Sequence, residues 1–193
     1  MGEKVMVDFP AFVTRDSEKM WLLVHDDSHL LLSNSVIAEL YKQMLATLGY
    51  RKTMKMMYDS AKKGTHDVQR EIMKAYNLSV RSDVELRRRI ASIPFYIQTY
   101  GHGRGRTVTR GDDFIFRVKH SSLAEHLKNS NPEGPACAFV AGFFAGMAEV
   151  FASSKKPAAY TCVERKCIAL GDPFCEFKLS PSRKSPVTAK RAR

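Results

Sequence analysis

Three cysteines and a glutamate in the last third of the chain have the types and spacing of metal ligands. Glu164 and Cys167 are three apart, Cys175 follows eight later, and Gly171-Asp172-Pro173 between the cysteines can fold one strand back on the other. Two thiolates on such a hairpin supply half of the tetrahedron that zinc requires, at roughly 2.0–2.3 Å from the metal. Cys137, at the start of an apolar segment, is placed to supply another ligand. Spacing alone leaves a second reading open, in which Cys137 is a small buried hydrophobe and Cys175 a core residue, as most free cysteines are. Cys162 lies two residues before Glu164, so on a strand both point to one face. It could replace Glu164 as a ligand, act as a redox-sensitive or pocket-lining thiol, or be an ordinary buried strand residue.

The elements that must position these residues can be read from periodicity. Residues 21–25 read as a short buried strand and 26–28 as a turn, a hairpin-like opening. From Asn34 or Ser35, residues Ile37, Leu40, Tyr41, Met44, Leu45 and Leu48 follow the spacing of one helical face, which Gly49 ends. A Met-rich helix over 52–63 ends at Gly64, and another starts at Thr65 or His66. Ser82 and Glu85 match a capping box, opening a helix that runs to Ile93 before Pro94. After Pro94 the pattern alternates, giving strands over 95–100, 106–110 and 114–118, the last two paired through the turn 111–113. A short helix over 121–129 and a Pro/Gly loop lead into an apolar helix over 136–152, in which Gly142 and Gly146 allow a neighbour to approach closely. Strands over 158–169 and 174–179 close the fold. Helices, then a mostly antiparallel sheet interrupted by one long buried helix, define an α+β class.

A chain of 193 residues, 44% hydrophobic, closes one core. The expected organisation is an N-terminal extension over 1–15, one ligand-binding domain over 16–180, and a disordered basic tail over 181–193. No stretch reaches the roughly 20 apolar residues of a membrane span, and the start lacks the pattern of a secretory signal. A soluble, cytoplasmic protein follows, where thiols stay reduced and clustered cysteines point to metal or thiol chemistry. The net charge of +11 invites a nucleic-acid partner, but Arg183, Lys184, Lys190, Arg191 and Arg193 carry five of those charges in the tail. Contact with nucleic acid through that tail and through Arg87, Arg88 and Arg89 stays open beside plain solvation.

The segment from Pro135-Ala-Cys137 through Gly142 and Gly146, followed by Cys162-Val-Glu164-Arg-Lys-Cys167 and Gly171-Asp172-Pro173-Phe174-Cys175-Glu176-Phe177, resembles the 4-vinyl reductase domain family. The close motif covers about a quarter of the chain, and the order of elements over 21–179 is compatible. The resemblance implies a fold shared with haem nitric-oxide-binding domains and with transport protein particle subunits. It also implies a structural zinc on Cys137, Glu164, Cys167 and Cys175, and homodimerisation.

The apolar helix could line a cavity or only fill a core, and the resemblance favours a small hydrophobic ligand. Candidate lining residues are Phe95, Tyr96, Tyr100, Phe116, Phe139, Phe143 and Tyr160, with Trp21 less secure and His102 and His120 as polar anchors. A haem would need an axial histidine on an apolar helix face, and none stands there. No nucleophile elbow, P-loop or metalloprotease helix is present, and four protein ligands would close a zinc site to catalysis. Gly101-His-Gly103-Arg-Gly105 precedes a strand rather than a helix, so it reads as a loop and not a dinucleotide fingerprint. The expectation is a zinc-stabilised sensor or carrier domain that acts through an effector protein partner, its own tail or as a free carrier. Alternatives are a thiol/metal redox regulator, a tethering-type scaffold subunit, and a tetrapyrrole vinyl-reductase accessory protein.

Overall fold

The computed structural model describes residues 13–16, 21–24, 27–29, 34–75, 77–99, 102–110, 113–130, 132–153 and 159–182. The chain divides into two units, residues 1–33 and 34–193. The first contains β1 (Val13–Asp16), β2 (Trp21–Val24) and β3 (Asp27–His29) in one antiparallel sheet, with Val13 opposite Val24 and Leu22 opposite His29. The expected strand at 21–25 is β2, and residues 25 and 26 join it to β3.

The second unit opens with α1 (Asn34–Leu48) and α2 (Tyr50–Ala75), separated by Gly49 at φ +75°. The helix break expected at Gly64 is absent, because α2 runs unbroken for 26 residues. One glycine in a helix costs about 1 kcal/mol, and packing against α5 (Ala138–Ser153) outweighs it. Gly142 and Gly146 set that packing: a Cβ at these positions would lie 2.2 Å from Tyr58 O and 2.5 Å from Lys62 O on α2.

The helix expected to stop before Pro94 also continues, as α3 (Asp83–Thr99), so residues 95–99 are helical rather than extended. Ser82 Oγ accepts from Glu85 N at 3.1 Å, as the capping-box pattern requires. Pro94 removes one amide and its ring disturbs the turn behind it. The missing amide would have served Ile90 O; one residue on, Ala91 O accepts from Thr107 Oγ1 at 2.5 Å, which ties this turn to the rest of the fold. Ile90, Ile93 and Ile97, at 1% exposure or less, hold one helical face through the proline.

The main sheet has the order β4-β5-β7-β6, all antiparallel: β4 (Arg104–Arg110), β5 (Asp113–Lys119), β7 (Cys175–Pro181) and β6 (Tyr160–Lys166). A short helix, α4 (Ser122–Leu127), leads from β5 towards α5. One sheet face is apolar. Phe144 of α5 meets Phe116 at 4.8 Å and Phe177 at 5.2 Å between ring centroids, both edge-on, and all three are fully buried. The entry to β6 is fixed by Lys62, which pairs with Glu149 at 2.7 Å and donates to Tyr160 O at 2.8 Å. Glu149 in turn accepts from Tyr160 N at 2.8 Å.

Two glycines therefore separate by their surroundings. Gly142→Ala forces α5 off α2 and should cost on the order of 1–3 kcal/mol. Gly64→Ala, with nothing within 4 Å of the new Cβ, should stabilise by up to about 1 kcal/mol. Denaturant midpoints of the two variants check both signs.

Candidate metal centre

Cys137 stands immediately before α5, where backbone amides have no helical partners and favour negative charge. Glu164 comes from β6, Cys167 caps the 3₁₀ turn Ile168–Leu170, and Cys175 opens β7. Gly171 ends that turn at φ +94°, a conformation L side chains rarely adopt. Asp172 Oδ2 accepts from Cys167 N at 2.8 Å and ties the turn to the strand end. A register shift between Glu164 and Lys166 bends β6 just where the ligands leave it.

These elements bring the four side chains together: three sulfurs and one carboxylate oxygen lie within 4.8 Å of one another. The Cys137 and Cys175 sulfurs are 3.8 Å apart, and all the cysteines are free thiols. Ligands held tetrahedrally at 2.0–2.3 Å from zinc sit about 3.3–3.8 Å apart, close to this spacing. Glu164 Oε2 accepts from Cys137 N at 2.7 Å, whereas Oε1 is buried without a hydrogen-bond partner. A buried oxygen left unpaired is costly, and a cation among these sulfurs would satisfy it. Amides face the sulfurs as well, from Ala136 N to Cys167 Sγ and from Ile168 N to Cys175 Sγ, each at 3.4 Å.

Four acidic groups in one buried place cannot all ionise without a counter-charge. Burial, then the neighbouring Cys167, pushes the Glu164 carboxyl up to about 9. Hydrogen bonds to Cys167 and Cys175, with burial, push the Cys137 thiol up. Those from Cys137 and Cys175 hold the Cys167 thiol below its usual range. This donor set could hold a metal ion, and soft thiolates with one carboxylate suit zinc better than a hard cation.

Three supporting residues were not singled out by the sequence. Ser121, 1% exposed, places Oγ 3.5 Å from Cys137 Sγ. Tyr50 donates to Pro135 O at 2.9 Å and holds the loop that presents Cys137. Asp172 is the third; its place in a Gly-Asp-Pro turn was a signal for the turn but not for the hydrogen bond to Cys167. Cys162 lies outside the cluster. It is 4% exposed, its amide donates to Tyr58 Oη at 3.2 Å, and burial raises its thiol.

The candidate pocket residues scatter. His102 is 6.1 Å from Phe139 between ring centroids, and burial lowers its pKa, which favours neutral imidazole. Phe143, one turn along α5, is half-buried against Phe144, and Tyr96 is half-buried on α3. Phe116 and Tyr160 are buried in the core. Phe95 is 65% exposed on α3. His120 is exposed with φ +55° and stands 3.4 Å from Glu125. Tyr100 lies outside the described residues, and of Trp21 only its place in β2 is described.

Fold and site together define an α+β domain with a cysteine/glutamate cluster that could hold a metal ion. The family model of the 4-vinyl reductase domain matches residues 114–181, from β5 to the end of β7, a stretch that carries all four cluster residues. The resemblance to that family thus rests on the family model as well as on the motif. No curated protein matches by sequence. Among solved structures, the phenol-responsive sensory domain of the transcription activator PoxR, crystallised with phenol, aligns at TM-score 0.72 and 15% identity, covering 88% of this chain and 85% of that one. A trafficking protein particle complex subunit 3 from Naegleria fowleri, covalently bound to palmitic acid, aligns at 0.55 and 13% identity, covering 77% and 95%. An H-NOX protein from S. oneidensis in the Fe(II)NO ligation state aligns at 0.50 and 9% identity, covering 81% and 79%. At these identities the likeness establishes the fold. Among the described residues, no helix is long and apolar enough to cross a membrane.

The buried carboxyl gives a pH signature to chelator-treated protein. With its folded pKa near 9 and a reference value of 4.5, Glu164 supports the metal-free fold fully below about pH 4.5. That support is lost as pH rises towards 9. Glu164→Gln should flatten this decline in thermal melts of the metal-free protein, and an unchanged slope would assign the decline to other groups.

Proposed function

We propose that the chain is a zinc-stabilised domain that binds a small hydrophobic or aromatic molecule, as a sensor or carrier, and works as a homodimer. The observation that carries this reading is the convergence of Cys137, Glu164, Cys167 and Cys175 with an unpartnered Glu164 oxygen among them. Zinc held there ties the N-terminus of α5 to the β6–β7 hairpin. Its part is structural, because four protein ligands leave no open position.

The same helix offers the ligand its aromatic wall. Phe139 and Phe143 lie one turn apart on it, half-buried, with His102 beside Phe139. A neutral imidazole can donate to or accept from a phenolic hydroxyl, while the rings supply apolar contact. The fold likeness to a sensory domain holding phenol, and to a subunit bound to palmitic acid, supports a hydrophobic occupant. Occupancy would be passed to a protein partner in the cytoplasm.

Two measurements test the reading. Native mass spectrometry of protein purified without chelators should show close to one zinc per chain, and Cys175→Ser should lose it. Chelation should lower the melting temperature by more than about 10 °C, because metal binding here is folding energy. Protein free of zinc with an unshifted melt would remove the metal. Phenol at about a hundred times its dissociation constant should raise the melt of the loaded protein by roughly 5–10 °C. His102→Ala should weaken phenol binding without changing zinc content. Loss of both together would mean that His102 supports the fold instead.

A further inference from the structure

The outer face of the main sheet carries an ordered strip of positive charge that neither the cluster nor the pocket uses. Residues opposite one another on neighbouring strands share a face. Arg104 is opposite Lys119 and Arg106 opposite Arg117, Arg117 is opposite Glu176, and Glu176 is opposite Lys166. The strip therefore crosses all four strands. Arg165, exposed at the irregularity in β6, stands next to Lys166. The one acid in these rows, Glu176, is taken by Arg117 at 2.8 Å. Among the described residues, Arg104, Arg106, Lys119 and Lys166 have no ion-pair partner, whereas Arg165 is drawn to Asp113.

Two like-charged pairs facing one another on adjacent strands work against the sheet. An arrangement that costs stability and leaves its charge uncompensated has the character of a ligand site for a polyanion. Neighbouring strands are about 4.8 Å apart, so the strip is roughly 14 Å long, with rows about 7 Å apart along each strand. Phe174, just before β7, lies among these cations, 5.0 Å from the Arg117 guanidinium carbon and 5.3 Å from Lys166 Nζ. Cations that track a backbone, with an aromatic ring between them, make up the surfaces that hold single-stranded nucleic acid.

We propose that this strip binds the phosphate backbone of single-stranded nucleic acid. A sheet face with no element projecting from these rows has nothing to place in a duplex groove, but an extended strand can lie along it. An anionic membrane fits less well, because apolar side chains that could insert among the cations are lacking in these rows, Phe174 being half-buried. The strip lies in the described sheet, and none of its residues belongs to the basic tail.

The test uses the full chain and a fluorescent mixed-sequence oligodeoxynucleotide of about 20 nucleotides, followed by anisotropy from about 50 to 200 mM salt. The variant R104S/R106S/K119S/K166S should bind at least about tenfold more weakly at the low-salt end. Its log–log salt slope should be shallower by about 2–3, the value for four lost phosphate contacts. Its melting temperature should not fall, since like-charge repulsion is relieved, and its zinc content should match the parent. The same difference should persist when residues 183–193 are deleted from both proteins. Equal affinity of variant and parent, a difference that vanishes with the tail, or binding to phosphatidylserine vesicles without binding to the oligonucleotide would each overturn the proposal.

Discussion

Four acidic side chains share one buried place at the N-terminus of α5, and the rest of the domain is arranged around the need to neutralise them. Burial and the neighbouring acids push the Glu164 carboxyl up, while hydrogen bonds hold the Cys167 thiol down, so without a cation the four groups do not ionise together. Amides of Ala136, Cys137 and Ile168 point at the acidic atoms and supply part of the missing positive charge. They cannot supply all of it: a carboxylate oxygen remains unpartnered. Zinc would replace this frustrated set of protons with one ion and convert four weak acids into a cross-link between a helix and a hairpin.

Such a cross-link would matter because α5 is the axis of the domain. On one side its glycines let α2 lie almost in backbone contact, and on another its phenylalanines interlock edge-on with those of β5 and β7. A shift of the helix N-terminus would therefore be felt in both layers, since close-packed interiors transmit displacement rather than absorb it. Phe139 and His102 lie near that end of the helix, so a ligand there and a metal at Cys137 would act on the same element.

The two faces of the main sheet divide the labour. The inner face carries Phe116, Phe177 and Leu179 into the core, along with the strand ends that deliver Glu164 and Cys175. The outer face carries charge, neutralised at one end by the Lys178–Asp113 pair and left positive at the other. Alternation along β5 turns Phe114, Phe116 and Val118 inward and Arg117 outward, so one short segment serves both purposes.

Much of this was legible in the residues. Glu164-x-x-Cys167 and the Gly171-Asp172-Pro173 turn announced a hairpin with candidate metal ligands, and alternation from Arg106 to Val118 announced the strands, because local chemistry and period decide such features. Gly64 and Pro94 misled for the same local reason: each weakens a helix by its own backbone, yet α2 and α3 run through them. There the outcome belonged to tertiary contacts, to Gly142 and Gly146 under α2 and to the Thr107 hydroxyl that reaches Ala91 O. Likewise the sequence named the four candidate ligands but not Ser121 or Tyr50, which stand beside them only through the packing of distant segments. Side-chain type and spacing determined which atoms could bind a cation. Only the folded chain decided that they meet, because convergence depends on long-range closure, which a local pattern does not contain.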